Sequence, residues 1–101
     1  MQIQISVPKE KIAEFCKARG IRRFAIFGSA LRPDFSPESD VDVLVEFNPG
    51  RVPGLLGIAG MEIELSGIFG NRRVDMRTLE DLSRYFRDDV AKEAQVQYEQ
   101  G

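Results

Sequence analysis

Two stretches decide how this chain reads: Gly28-Ser29-Ala30-Leu31-Arg32 and Ser39-Asp40-Val41-Asp42-Val43-Leu44-Val45-Glu46-Phe47. The apolar run 21–27 that leads into Gly28 reads as a strand. Phe24 and Ile26 fall on one face, Ala25 and Phe27 on the other. Residues 40–47 read as a second strand. Val41, Val43 and Val45 share one face, while Asp40, Asp42, Leu44 and Glu46 share the other. Between the two runs, Pro33 and Pro37 and their polar neighbours predict a short helical turn followed by a loop.

Working outward, residues 8–19 predict a helix. Pro8 suits its first turn, Ile12, Phe15 and Cys16 recur at helical spacing, and Gly20 stops it. Residues 48–54 form a Pro/Gly-rich loop. It leads into a core helix over 55–69, whose inward stripe is Ile58, Met61, Glu62, Leu65 and Ile68 or Phe69. Residues 72–77 predict a short third strand. Thr78 then caps a final helical region that runs to about residue 98, with Leu82, Tyr85, Phe86, Val90 and Ala94 as core and Tyr98 also facing inward. A fourth strand is expected at 2–6. Helices and strands in this order predict a mixed α/β or α+β fold, a small mixed sheet flanked by helices, in a single domain over residues 1–101.

Composition narrows the chemistry. Lys and Arg number 14 and Asp and Glu 16, a net charge of −2, which argues against a dedicated nucleic-acid surface. The chain has no His, so Ser-His-Asp and Cys-His catalysis and His-ligated zinc are excluded. A single Cys, Cys16, allows neither an internal disulfide nor a cysteine metal cluster, and fits a reducing compartment, the cytoplasm. Residues 1–8 lack the pattern of a signal peptide, and no apolar run is long enough to span a membrane. Enzymatic chemistry in this chain therefore rests on carboxylates, Lys/Arg, Ser and backbone groups, with a hard metal ion as the natural auxiliary.

Asp40 and Asp42 lie two apart on a strand, so they share a face with Cα atoms about 7 Å apart. Taken alone, an Asp-x-Asp is more often a strand end facing water. Here it stands beside other features. Gly28-Ser29 ends an apolar strand, where backbone N–H groups and a Ser hydroxyl can hold phosphate oxygens. Val74 and Met76 take the inward side of the third strand, which leaves Asp75 on the opposite face. If that strand neighbours the Asp40/Asp42 strand, three carboxylates converge. Such an oxygen-rich set suits Mg²⁺, and two ions can clamp both oxygens of a phosphoryl displacement.

These residues together resemble the signature of the minimal nucleotidyltransferases, the smallest members of the DNA polymerase beta-like nucleotidyltransferase superfamily. The pattern is Gly-Ser, a nearby Arg, then Ser-Asp-x-Asp in a hydrophobic strand, with a third Asp on a later strand. The resemblance spans nearly the whole chain and implies the polymerase beta-like nucleotidyltransferase fold. It implies that Asp40, Asp42 and Asp75 are catalytic and bind Mg²⁺, two ions in all. It assigns Gly28 and Ser29 to the triphosphate-binding turn, Arg32 to the phosphates and Ser39 to orienting the loop. The reaction implied is transfer of a nucleoside monophosphate, AMP from ATP, to a hydroxyl with release of pyrophosphate. Pro33 stands where the family often has Gly, and the chain has no room for the extra domains of larger relatives. Stand-alone proteins of this kind in prokaryotes are often paired with a helical HEPN-domain protein. The resemblance therefore also implies an antitoxin role toward a HEPN ribonuclease, through binding it and adding AMP to a Tyr on it.

A second reading keeps the fold and drops the turnover: a nucleotide-binding antitoxin or regulatory subunit that acts by contact. The presence of all three acids favours the active enzyme. Cys16 reads as a small buried hydrophobe. The pairs Arg22-Arg23 and Arg72-Arg73 read as solvated strand edges, with a role at the triphosphate as the lesser option. The size of the chain leaves homo-oligomerisation open.

Overall fold

The computed structural model describes residues 7–28, 39–78 and 92–100. Its elements are, in chain order, helix α1 (Lys9–Arg19), strand β1 (Ile21–Phe27), strand β2 (Val41–Phe47), helix α2 (Leu55–Ile68), strand β3 (Val74–Arg77) and strand β4 (Gln95–Glu99). The four strands form one sheet in the order β3-β2-β1-β4. β1 runs antiparallel to both β2 and β4, while β2 and β3 are parallel. The mixed sheet expected from the element order is therefore present.

The valine alternation in β2 decides which face is inside. Val41, Val43 and Val45 are buried together with Phe24 and Ile26 of β1 and Val74 and Met76 of β3. Ile12, Phe15 and Cys16 of α1, Met61 and Leu65 of α2, and Phe69 just beyond it, close over this face. One face of the sheet thus carries the core, and the opposite face carries Asp42 and Asp75. Both helices stop as the sequence suggests. Gly20 ends α1 in the left-handed region at φ +73° and donates its N–H to the Cys16 carbonyl. Phe69 ends α2 with its N–H on the Leu65 carbonyl.

The C-terminal segment departs from expectation. Residues 95–99 pair with β1 as a strand rather than continuing a helix, so Tyr98 reaches the core from the sheet. The physical cause is the second edge of β1. With β2 on one side only, that strand would present a free row of N–H and C=O groups, and pairing with Val96 to Glu99 satisfies them. The 79–91 part of the final helical region expected to run to about residue 98, and the strand expected at 2–6, lie outside the described residues. Leu55 and Leu56, at the start of the expected core helix, stay 89% and 90% exposed.

Cys16 is fully buried, and burial pushes its thiol pKa up from 9.0 to about 12. The thiolate is the reactive form, so a shift of this size slows alkylation near pH 8 by roughly 10³-fold. Timed iodoacetamide labelling should show Cys16 protected in the folded protein and modified at once after unfolding. The unfolded chain releases the thiol proton near pH 9.0 while the folded chain holds it to about 12. The contribution of Cys16 to stability is therefore complete below pH 9.0 and is lost as pH rises toward 12.

Candidate active site

The pairing of β2 with β3 places the acids. Its register sets Val41 beside Val74, Asp42 beside Asp75 and Val43 beside Met76. Parallel neighbours stand about 4.8 Å apart, and residues in register point to the same face. Asp42 and Asp75 therefore stand side by side on the face away from the core, both half-buried. Asp40 directly precedes β2, and the Val41 N–H donates to the Arg73 carbonyl at 2.8 Å, which fixes the start of the ladder under Asp40. The condition for convergence, that the third strand lie beside the second, is met.

Gly28 completes this end of the sheet. Phe27 pairs with Asp42 across the antiparallel ladder, and Gly28 follows with φ +71°. A Cβ built there would stand 3.2 Å from the Asp42 Cγ and overlap Oδ2. Two independent constraints thus select glycine, a left-handed backbone and direct contact with a carboxylate. Ser39, half-buried, immediately precedes Asp40. Ser29 and Arg32, the other residues assigned to the nucleotide, lie outside the described residues.

The carboxylates are not yet gathered around a common point. Among the described residues, no three acidic side chains stand close enough to hold a metal ion as placed. Asp75 is turned along its strand, where its Oδ2 accepts from Nε and a terminal nitrogen of Arg77 at 3.3 and 3.2 Å. Arg73 Nε stands 4.0 Å from Asp40 Oδ1. Both arginines are well exposed, at 48% and 82%. Exposed ion pairs of this kind contribute only about 0–1 kcal/mol. The donor set itself, carboxylates with the Asp42 side chain packed directly against Gly28, fits the oxygen chemistry of a hard ion such as Mg²⁺.

Residues that sequence reasoning did not place at the site also border it. Arg77 shares a face with Asp75 at strand spacing, and that spacing was its signal. Glu62, placed by periodicity on the inward stripe of α2, instead accepts the Met76 N–H on Oε2 at 2.8 Å. A lone acid on an apolar stripe was the clue. A groove of about 380 Å³ opens beside Asp75, lined by Phe47, Val52, Leu55, Ile58 and Met76. Arg22 and Arg23 lie toward the end of β1 away from Gly28. Arg23 pairs with Glu46 and Glu99, and these acids raise its pKa further.

The chain belongs to the nucleotidyltransferase domain family, whose sequence model matches residues 9–97. It is 33% identical over 92 residues to MJ0435 of Methanocaldococcus jannaschii, a protein provisionally named a protein adenylyltransferase; the match covers 91% of this chain and 96% of that one. It is 39% identical over 57 residues to the protein adenylyltransferase MntA of Thermococcus cleftensis, covering 56% of this chain and 54% of that protein. Among solved structures, one described provisionally as a minimal nucleotidyltransferase superposes with a TM-score of 0.70 at 35% identity, covering 85% of both chains. The toxin–antitoxin structure of MntA with HepT gives a TM-score of 0.64 over 90% of this chain and 69% of the other, at 15% identity, a likeness of fold. Among the described residues no helix is long and apolar enough to cross a membrane.

Proposed function

We propose that this protein is a Mg²⁺-dependent nucleotidyltransferase of the cytoplasm that moves AMP from ATP to a hydroxyl on a protein, a HEPN-domain toxin, and thereby acts as its antitoxin. The observation that carries the reading is the register of Asp42 with Asp75 beneath Gly28. Two carboxylates held that close repel each other unless a cation joins them. In this reading Asp40, Asp42 and Asp75 hold the ions, and Gly28, Ser29, Arg32 and Ser39 hold the triphosphate. Bound Mg²⁺ supplies charge neutralisation for the phosphates and a lower pKa for the attacking hydroxyl. The acceptor oxygen forms a bond to the α-phosphorus, the α–β bridging P–O bond breaks, and pyrophosphate leaves. The hydroxyl proton passes to the Asp75 carboxylate, one of the two acids that line the groove. Positioning and charge complementarity supply most of the acceleration in such a transfer. Support for a protein acceptor comes from the names of the two relatives, and support for a toxin partner from the MntA–HepT fold likeness.

The test is incubation with Mg²⁺ and α-labelled ATP, with and without a purified HEPN-domain toxin from the same organism. The proposal expects label on that partner; label on nothing, with partner present, contradicts it. Within this reading, Ser29→Ala raises the KM for ATP several-fold or slows transfer, as loss of one phosphate hydrogen bond would. Unchanged steady-state parameters would return Gly28-Ser29 to an ordinary turn.

The exposed apolar residues Val52, Leu55, Leu56 and Ile63 favour a second reading in which partner binding alone is the function. Exposed apolar side chains grouped on a helix and the loop that leads into it mark interaction surfaces. The two readings separate when neutralisation of the toxin is measured with a transfer-dead variant: full neutralisation supports contact, and loss supports modification.

A further inference from the structure

We infer that Glu62 is a positioning residue for Asp75. It grips the free edge of β3 and so keeps the Asp75 carboxylate in register with Asp42. This rests on the reading of Asp75 as a metal-binding acid given above.

β3 is the edge strand of the sheet and only four residues long. Among the described residues its one strand neighbour is β2. The Val41 N–H donates to the Arg73 carbonyl, which sets the phase of the parallel ladder. Alternate residues of a parallel strand turn their amides the same way, so Asp75 and Arg77 face β2 and Met76 turns its N–H to the open edge. An edge this short, held from one side, is the weakest part of a sheet. Glu62 Oε2 takes that outward N–H at 2.8 Å. The peptide so held is the one that joins Asp75 to Met76, directly attached to the Cα that bears the carboxylate.

The grip is rigid at its other end. Met61 and Leu65, flanking Glu62 on α2, are both buried in the core with Met76. The helix thus fixes Glu62, and Glu62 fixes the strand edge from the side opposite β2. A charged acceptor makes the hydrogen bond stronger than a neutral one would. Groups that hold a metal ligand in place are commonly needed at full strength for metal affinity, although they never touch the metal.

The test compares Glu62→Met, Glu62→Gln and Asp75→Asn with the unaltered chain. Methionine keeps the length and helix propensity of Glu but removes the acceptor, and glutamine restores an acceptor. Amide exchange of Met76, read by NMR in the protein alone, should accelerate about 10-fold or more in Glu62→Met and recover in Glu62→Gln. Mn²⁺ affinity, read by electron paramagnetic resonance, should fall roughly 10-fold in Glu62→Met, in the range seen for residues that support metal ligands, and recover in Glu62→Gln. Transfer should lose kcat with little change in the KM for ATP. If Glu62→Met lowers the unfolding midpoint but leaves Mn²⁺ affinity and kcat within twofold, while Asp75→Asn loses both, Glu62 is structural only and the inference is wrong. If Asp75→Asn itself leaves Mn²⁺ affinity unchanged, the reading of the site fails, and the positioning role falls with it.

Discussion

Asp42→Asn lowers nucleotidyl transfer by about 10³-fold or more and leaves the fold intact. The magnitude follows from removing one charge from a site whose acceleration comes from charge neutralisation at the phosphates. The unchanged fold follows from position. Asp42 lies on the face of β2 away from the valine core, and Asn keeps its shape. Its register neighbour is Asp75, so losing the charge also removes a like-charge repulsion. The unfolding midpoint should stay level or rise slightly. Thermal denaturation beside the transfer assay separates the two effects. Retained activity in Asp42→Asn would remove the acid pair from the mechanism.

Gly28→Ala damages both stability and activity. At φ +71° an alanine is strained by about 1–2 kcal/mol. The added Cβ also strikes the Asp42 carboxylate, so either the turn or the acid must move. Together these predict a loss of about 1–3 kcal/mol in stability, within the usual range for a strained left-handed position. Displacing a reacting group by about 1 Å can cost 10²-fold in rate, and transfer should fall by at least that much. Urea denaturation and transfer kinetics on one preparation check both. An alanine tolerated without loss would mean that Gly28 does not set the position of Asp42.

The local elements were legible because their signals are local. The valine alternation of residues 41–45 assigned the inner face of β2, and Ile12, Phe15 and Cys16 assigned that of α1, as the structure has them. Asp75 was placed opposite Val74 and Met76 by the same alternation. What alternation does not contain is which strands lie side by side. The parallel pairing of β2 with β3 arises through the crossover helix α2, a contact between distant parts of the chain. β4 was misread for a related reason. Nothing near Val96 or Tyr98 breaks a helix, and the demand for a strand comes from the open edge of β1, far away in sequence. Leu55 and Leu56 lay off the inward stripe given for this helix, and both stay exposed. The hydrogen bond from Met76 to Glu62 depends on both pieces of hidden information, an edge strand and a helix laid along it. The acidic pair and the glycine turn could be named from sequence, whereas their juxtaposition required the sheet.

The most direct test of the central claim, that Asp40, Asp42 and Asp75 form a divalent-ion site at the Gly28 end of the sheet, is paramagnetic broadening by Mn²⁺ in the presence of a non-hydrolysable ATP analogue. Backbone amides of Gly28, Asp40, Asp42 and Asp75 should broaden first and together, and those of α1 and of the Asn48–Gly50 turn should stay sharp. Broadening centred elsewhere, or spread evenly over the exposed acids, would contradict it.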